Sequence, residues 1–190
     1  MEVMARYPDK FFDLAIVDPP YGLGRRLLIG RFKKDKNGAK WDVRPKPEYF
    51  TELFRVSRHQ IIFGGNYFNL GPCRGFIIWD KIQPAPSFSA CEFAWTSFDT
   101  VSKIFRHRQA GGNNEVKIHP TQKPVDLYRW LLHNYGLPGD RILDTHLGSQ
   151  SSRIAAYEMG FDFYGCELDP RYFAEGCARF QQHISQLPLF

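Results

Sequence analysis

The sequence predicts an α/β fold, a mostly parallel sheet flanked by helices. Two observations carry that expectation. Short β-branched or apolar runs such as AIVD and RILD alternate with segments whose apolar residues recur at helical spacing, and strands that alternate with helices build parallel sheets covered on both faces. Several of the strands are apolar throughout, as strands buried on both faces are. Across 190 residues, 43% hydrophobic and 24% charged residues suit one domain with a substantial core, and residues 1–190 are read as a single domain.

Residues 2–8 are expected to end a helix that Pro8 closes. AIVD at 15–18 is the first strand. Pro47 opens a helix in which Tyr49, Phe50, Leu53, Phe54 and Ser57 share a face. HQIIFGG is a strand ending in glycines, GFIIWD another, and ACEFAWTSF alternates as an antiparallel neighbour does. Residues 99–118 are polar and glycine-bearing. Val125, Tyr128, Leu132 and Tyr135 mark a helix that Gly136 stops. RILD, SQSSRIAAYEMG, FDFYGCELD and PRYFAEGCARFQQHI then read strand, helix, strand, helix, and Phe173, Cys177, Phe180 and Ile184 are expected to form the buried stripe of the last helix. No internal repeat, low-complexity tract or long linker interrupts the chain.

No apolar run reaches the roughly 18 residues that span a bilayer, and MEVMARYPDK lacks the order of a secretory signal, so a cytoplasmic protein with no membrane contact is expected. Cys73, Cys91, Cys166 and Cys177 have neither CxxC pairing nor zinc-finger spacing. They read as free thiols, with no metal site. The net charge of +5 is concentrated between residues 23 and 40, where Arg25, Arg26, Arg31, Lys33, Lys34, Lys36 and Lys40 face Asp35 alone. Such a loop, taken as 23–41, attracts a polyanion such as nucleic acid.

In open α/β sheets ligands sit at the carboxyl ends of strands, and three predicted strand ends carry acids: Asp18, Asp144 and Glu167. LDTHLGSQSSR passes from a strand through a Gly-Ser turn into a helix, which brings backbone N–H groups and a positive helix end to a ligand. Glu167, at the end of the next strand, occupies the position of the ribose-binding acid of a Rossmann-type unit. No GxGxxG is present, so a dinucleotide is not favoured. In DPPY the two prolines stiffen a loop that offers acceptors to a planar amine. Hydrogen bonds from an exocyclic amine to the Asp18 carboxylate and the Pro19 carbonyl favour a pyramidal nitrogen with a free lone pair. Asp18 then takes the proton, while Tyr21 offers a face to an extruded base.

DPPYG at 18–22, HPTQKP at 119–124 and LDTHLGS with the downstream GCELD stand in this order along the chain. Together they resemble the amino-methylating DNA methyltransferases, in particular the β-class N6-adenine enzymes, over nearly the whole length. The resemblance implies a Rossmann-like methyltransferase fold with circularly permuted motif order, an S-adenosylmethionine cofactor and a DNA substrate. It implies a site-specific adenine methyltransferase, with N4-cytosine methylation or a non-catalytic DNA- or cofactor-binding role as alternatives. Asp18, Pro19, Pro20 and Tyr21 become catalytic. Thr121, Lys123, Asp144, Gly148, Ser149 and Glu167 become cofactor-binding. Arg25, Arg26, Lys33 and Lys34, together with Arg106 and Arg108 in a short recognition region at 99–118, become DNA-binding.

Three departures from the family pattern carry expectations of their own. Gln150 stands where the family commonly has glycine, so altered packing around the cofactor is expected. The chain starts inside the helix that precedes DPPY, so the sheet is expected to lack an edge strand. The short recognition region suggests relaxed specificity, helped by a homodimer. Finally, QLPLF at 186–190 resembles the peptide by which bacterial proteins dock on the sliding clamp.

Overall fold

The computed structural model describes residues 2–24, 41–82, 89–109 and 117–186. Seven strands form one sheet: β1 (Phe12–Val17), β2 (Ser57–Phe63), β3 (Phe76–Asp80), β4 (Cys91–Thr96), β5 (Lys103–Arg106), β6 (Arg141–Asp144) and β7 (Asp162–Gly165). Their order is β5-β3-β4-β2-β1-β6-β7. β4 runs antiparallel to both its neighbours, β2 and β3, and every other pairing is parallel. The sheet is therefore mostly parallel with one reversed strand, and ACEFAWTSF supplies that strand as expected.

Helices cover both faces. α1 (Pro47–Val56) and the N-terminal 3-10 turn Met4–Arg6 pack Met4, Tyr49, Leu53 and Val56 against Phe12, Ala15 and Ile62 on one side. α2 (Val125–Tyr135) and α3 (Ser151–Glu158) pack Leu127, Leu131, Ala155 and Ala156 against Leu14, Ile16, Ile61 and Ile77 on the other. This two-sided burial explains the uninterrupted apolar runs in β1 and β2, since each fully buried Leu or Ile contributes about 1.5–3 kcal/mol. α1 starts on Pro47, whose missing N–H is no loss in the first turn. It passes directly into β2 at Ser57, whose hydroxyl donates to Leu53 O at 2.5 Å, so Ser57 opens a strand instead of closing a helix.

α4 (Pro170–Ser185) starts at Asp169, whose side chain accepts from the N–H groups of Arg171 and Tyr172. Its buried face is Tyr172, Gly176 and Phe180. The expected stripe is thus rotated by about one residue: Phe180 belongs to it, whereas Phe173 is exposed and Cys177 and Ile184 are half-buried. Bare Gly176 lets Gln150 enter, since a Cβ there would lie 2.7 Å from Gln150 Cγ. Residues 99–118, read from the sequence only as polar and glycine-bearing, contain a strand. β5 lies there, at the sheet edge beside β3.

At the other edge the sheet ends with β7 among the described residues, and no strand precedes β1 in residues 2–11. No helix among the described residues is long and apolar enough to cross a membrane. The expectations placed on Arg25, Arg26, Lys33 and Lys34 lie outside the described residues, as do those on 187–190 of the QLPLF segment and on 110–116 of the recognition region.

Candidate active site

β1 has β2 on one side and β6 on the other, so the chain leaves β1 in opposite directions at this point. A crevice opens at the carboxyl end of such a switch point. Asp18 directly follows β1 and Asp144 ends β6, so their positions side by side follow from topology. A cavity of about 700 Å³ opens there, and Asp18, Pro20, Thr121, Lys123, Gly148, Ser149 and Glu167 all line it. DPPY meets HPTQKP and the Gly-Ser turn, both about a hundred residues or more further along the chain, in this one space.

Asp18 is the most constrained of these groups. Tyr21 donates its hydroxyl to Asp18 Oδ1 at 2.5 Å, and Lys123 donates its ammonium to Oδ2 at 2.6 Å. Burial raises the Asp18 carboxyl above its ordinary range, Glu92 adds to that, and Lys123 and Tyr21 pull the other way. Tyr21 is held well above the usual phenol range by burial and by the charge of Asp18, so it stays a donor. One face of its ring stacks on Tyr67 at 4.8 Å and 14°, and that face is not open to another ring in this conformation. Gly64 makes the arrangement possible. At φ +64°, a Cβ would sit 2.2 Å from Tyr21 Cε1, so only glycine leaves room for the ring.

The loop after DPPY is braced from its far side. Asp42 accepts from Gly22 N at 3.0 Å and from Gly24 N at 2.5 Å, and Arg44 donates to Tyr21 O at 3.2 Å. Both ends of the basic loop are thereby tied to the DPPY segment. The spacing of DPPYG gave no sign of Asp42, which acts across twenty residues.

In the Gly-Ser turn, Gly148 takes φ +48° and donates its N–H to Glu167 Oε2 at 2.8 Å; Oε1 accepts from Asp169 N at 2.9 Å. Glu167 therefore ties β7 to the turn as well as lining the cavity. Asp144 is buried behind the cavity wall, accepting from Ser152 Oγ at 2.6 Å and His146 N at 2.9 Å. Burial pushes its carboxyl up to about 7 against those two hydrogen bonds. Ser149 is buried, 3.2 Å from the Ser151 hydroxyl, and its carbonyl accepts from Arg179. Thr121 bonds His119 Nδ1 through both N and Oγ1. His119 is held far down, to about 3, by burial and by Lys117 and Lys123, so the ring is neutral.

Gln150 does not reach the cavity. In the left-handed region at φ +60°, it turns its amide away, donating to Phe173 O at 3.2 Å and accepting from Arg153 at 2.9 Å. The side chain is housed between α3 and α4, beside Gly176.

Lys123 lines the cavity and does more besides. Its carbonyl accepts from Ser151 Oγ at 2.7 Å at the start of α3, while its ammonium reaches Asp18. It bridges the two halves of the site. Beyond it lie Glu92, on β4, and Lys81, just after β3, neither of which was expected at the site. Each is a charged residue beside or within an apolar strand, GFIIWDK or ACEFAWT. That was the available signal, because lone charges are rarely buried there without partners. Arg106, by contrast, sits on exposed β5 with its guanidinium 3.3 Å from Asp80. Arg108 is exposed as well, and both lie apart from the cavity-lining residues.

A model of the DNA methylase family, of the N6/N4 type, matches residues 79–177. The Type II methyltransferase M1.MboII of Moraxella bovis is 34% identical over 68 residues, a stretch that spans 35% of this chain and 26% of that enzyme. The chain thus covers about a quarter of that relative's length. Among solved structures, the complex of M1.HpyAVI with SAM superposes with a TM-score of 0.61 at 20% identity, covering 93% of this chain and 91% of that one. The cytosine-N4-specific PvuII DNA methyltransferase gives 0.65 at 14% identity, covering 97% and 87%. At these identities the likeness is one of fold: the mixed sheet flanked by helices is the Rossmann-like methyltransferase architecture.

Proposed function

The chain belongs to the N6/N4 DNA methylase family, and on that premise we propose that it transfers a methyl group from S-adenosylmethionine to the exocyclic N6 amine of adenine in DNA. The observation that carries the proposal is Asp18 at the end of β1, in the same cavity as the Gly148 turn and Glu167. The cavity fits the cofactor: it has the volume of a small-molecule site, a bare turn on one wall and a carboxylate on another. Gly148, Ser149, Thr121 and Glu167 would hold the cofactor, with Asp144 acting through its charge from behind the wall. When bound, S-adenosylmethionine supplies an electrophilic methyl group on a sulfonium.

The rest of the chemistry falls to the protein. Asp18 and the Pro19 carbonyl accept hydrogen bonds from the amine, hold its lone pair toward the methyl donor, and Asp18 takes the proton the nitrogen loses. Pro19 and Pro20 keep the acceptors from moving as the base enters, and most of the rate comes from this positioning. Tyr21 orients the Asp18 carboxylate. The base stacks on Tyr21 once Tyr67 yields its place. Arg25, Arg26, Lys33 and Lys34 contact phosphates, and Arg106 and Arg108 bind DNA within the recognition region at 99–118. Pairing of two copies and docking of Gln186 to Phe190 on a bacterial sliding clamp are accessory parts of the same proposal. Incubation of DNA with methyl-labelled S-adenosylmethionine should move label to the DNA. An unlabelled duplex in the presence of bound cofactor would refute the reading.

Asp144 makes cofactor binding depend on pH. Its raised folded pKa means that the ligand-free protein gains stability from the protonated acid at low pH and loses it as pH rises through about 7. A cationic ligand prefers the ionised form. Affinity for S-adenosylmethionine should therefore rise between pH 6 and pH 8 by up to about tenfold. Calorimetric titration across that range should show the rise in the wild type and a flat, weaker profile in Asp144→Asn.

A further inference from the structure

Four ionisable side chains form a buried network behind the catalytic acid. Lys123 Nζ lies 2.6 Å from Asp18 Oδ2 and 3.0 Å from Glu92 Oε2, while Lys81 Nζ lies 2.7 Å from Glu92 Oε1. Two cations balance two anions, and the Lys123 side chain is only 3% exposed. The two contacts of Lys123 differ in kind. The one to Asp18 is an aligned hydrogen bond, whereas the ion pair to Glu92 Oε2 is longer and poorly aligned for a hydrogen bond. A buried carboxylate oxygen held by so poorly aligned a contact gains when the ammonium turns fully toward it.

The other half of the observation is that each Asp18 oxygen already has a close donor. Tyr21 and Lys123 hold one oxygen each, and the Lys123 ammonium competes with an incoming amine for the charge of Oδ2. Resting on the methyltransferase reading above, we propose that Lys123 is a two-position ammonium. It pairs with Asp18 while the site awaits its target, then turns to Glu92 Oε2 as the amine takes Asp18 Oδ2. Glu92 is the positioning residue that receives it, and Lys81 holds Glu92 in place through Oε1. The handover itself exchanges only hydrogen bonds. The proton then released from the methylated nitrogen goes to Asp18, which neutralises that carboxylate and leaves the network one charge more positive until the proton is lost to solvent, while Lys123 stays an ammonium paired with Glu92.

The surroundings suit both positions. The Phe63 ring lies 4.6 Å from Nζ and offers its π face to the cation. Burial alone would pull the Lys123 ammonium down, but the charges of Asp18 and Glu92 outweigh it and hold it up. Glu92 lies below its ordinary range because Lys123 and Lys81 outweigh its burial. The titratable groups that face Asp18 are Lys123, Glu92 and Tyr21, with Asp144 and Tyr128 acting through their charges from further away.

Glu92→Gln tests the handover. It removes the receiving charge, so Lys123 stays on Asp18, and kcat should fall about 30- to 100-fold while KM for DNA stays within about threefold. Loss of the Glu92 charge also lowers the Asp18 pKa, so the acidic limb of the kcat profile should move to lower pH. Glu92→Asp, which keeps the charge, should recover to within about fivefold of wild type. The double variant Glu92→Gln/Lys81→Met keeps the cluster neutral should the single change impair folding, and its kcat should remain low. Wild-type kcat in either Gln variant, or a fall with an unmoved acidic limb, overturns the proposal. Carbon NMR titration of the Asp18 carboxyl in the ligand-free protein gives a readout without catalysis: a lower value in Glu92→Gln supports the network and an unchanged one overturns it. A wild type that transfers no methyl group while this titration shifts places the failure in the functional reading.

Discussion

Asp18→Ala is expected to reduce methyl transfer by about 10³- to 10⁴-fold while cofactor affinity stays near wild type. In the proposed reaction this carboxylate both receives the amine and takes its proton. The fold should tolerate the loss, because Lys123 has Glu92 Oε2 3.0 Å away as a second partner. Single-turnover transfer of label, measured beside calorimetric titration of the cofactor, separates the two effects. Transfer within tenfold of wild type would remove Asp18 from the chemistry.

Gly64→Ala is the second large effect, and it acts without touching the acid. At φ +64° the methyl group would stand 2.2 Å from Tyr21 Cε1 and 2.4 Å from Cζ, too close for any real contact. The ring must shift, and with it the 2.5 Å bond that orients Asp18. The left-handed conformation adds about 1 kcal/mol of strain, which lowers Tm by about 2–4 °C in a chain of this size. The displaced ring should cost kcat about 10²-fold, since small errors of placement are expensive in a positioned reaction. Tyr21→Phe, which loses only the hydroxyl, should be milder. A Gly64→Ala protein with wild-type kcat would show that Tyr21 has no part in orienting the acid.

The catalytic half of this site was legible because its residues are local in sequence. DPPYG and LDTHLGS each sit on a strand-to-turn junction, and strand ends are where an α/β sheet puts its ligands. What stayed hidden depends on long-range register. Glu92 is opposite Trp79 in the β3–β4 pairing, so its approach to Lys123 follows from a strand order that no spacing announces. Asp42 is similar, reaching back across the basic loop to Gly22 and Gly24.

Two features of the fold were hidden for local reasons. KIFR at 103–106 gives no strand signal because an exposed edge strand with charges at both ends lacks the apolar pattern of its buried neighbours. The stripe of α4 was displaced because Gly176 faces inward. A glycine carries no hydropathy signal, and its purpose here is to admit Gln150.

The most direct test of the central claim is mass spectrometry of nucleosides released from DNA after incubation with the protein and labelled S-adenosylmethionine. Labelled N6-methyladenine is the expected product, and it should disappear with Asp18→Ala. Labelled N4-methylcytosine in its place would preserve the role of Asp18 and overturn the choice of base. Unmethylated nucleosides from a reaction in which the protein demonstrably binds the cofactor would contradict the assignment of this cavity to methyl transfer.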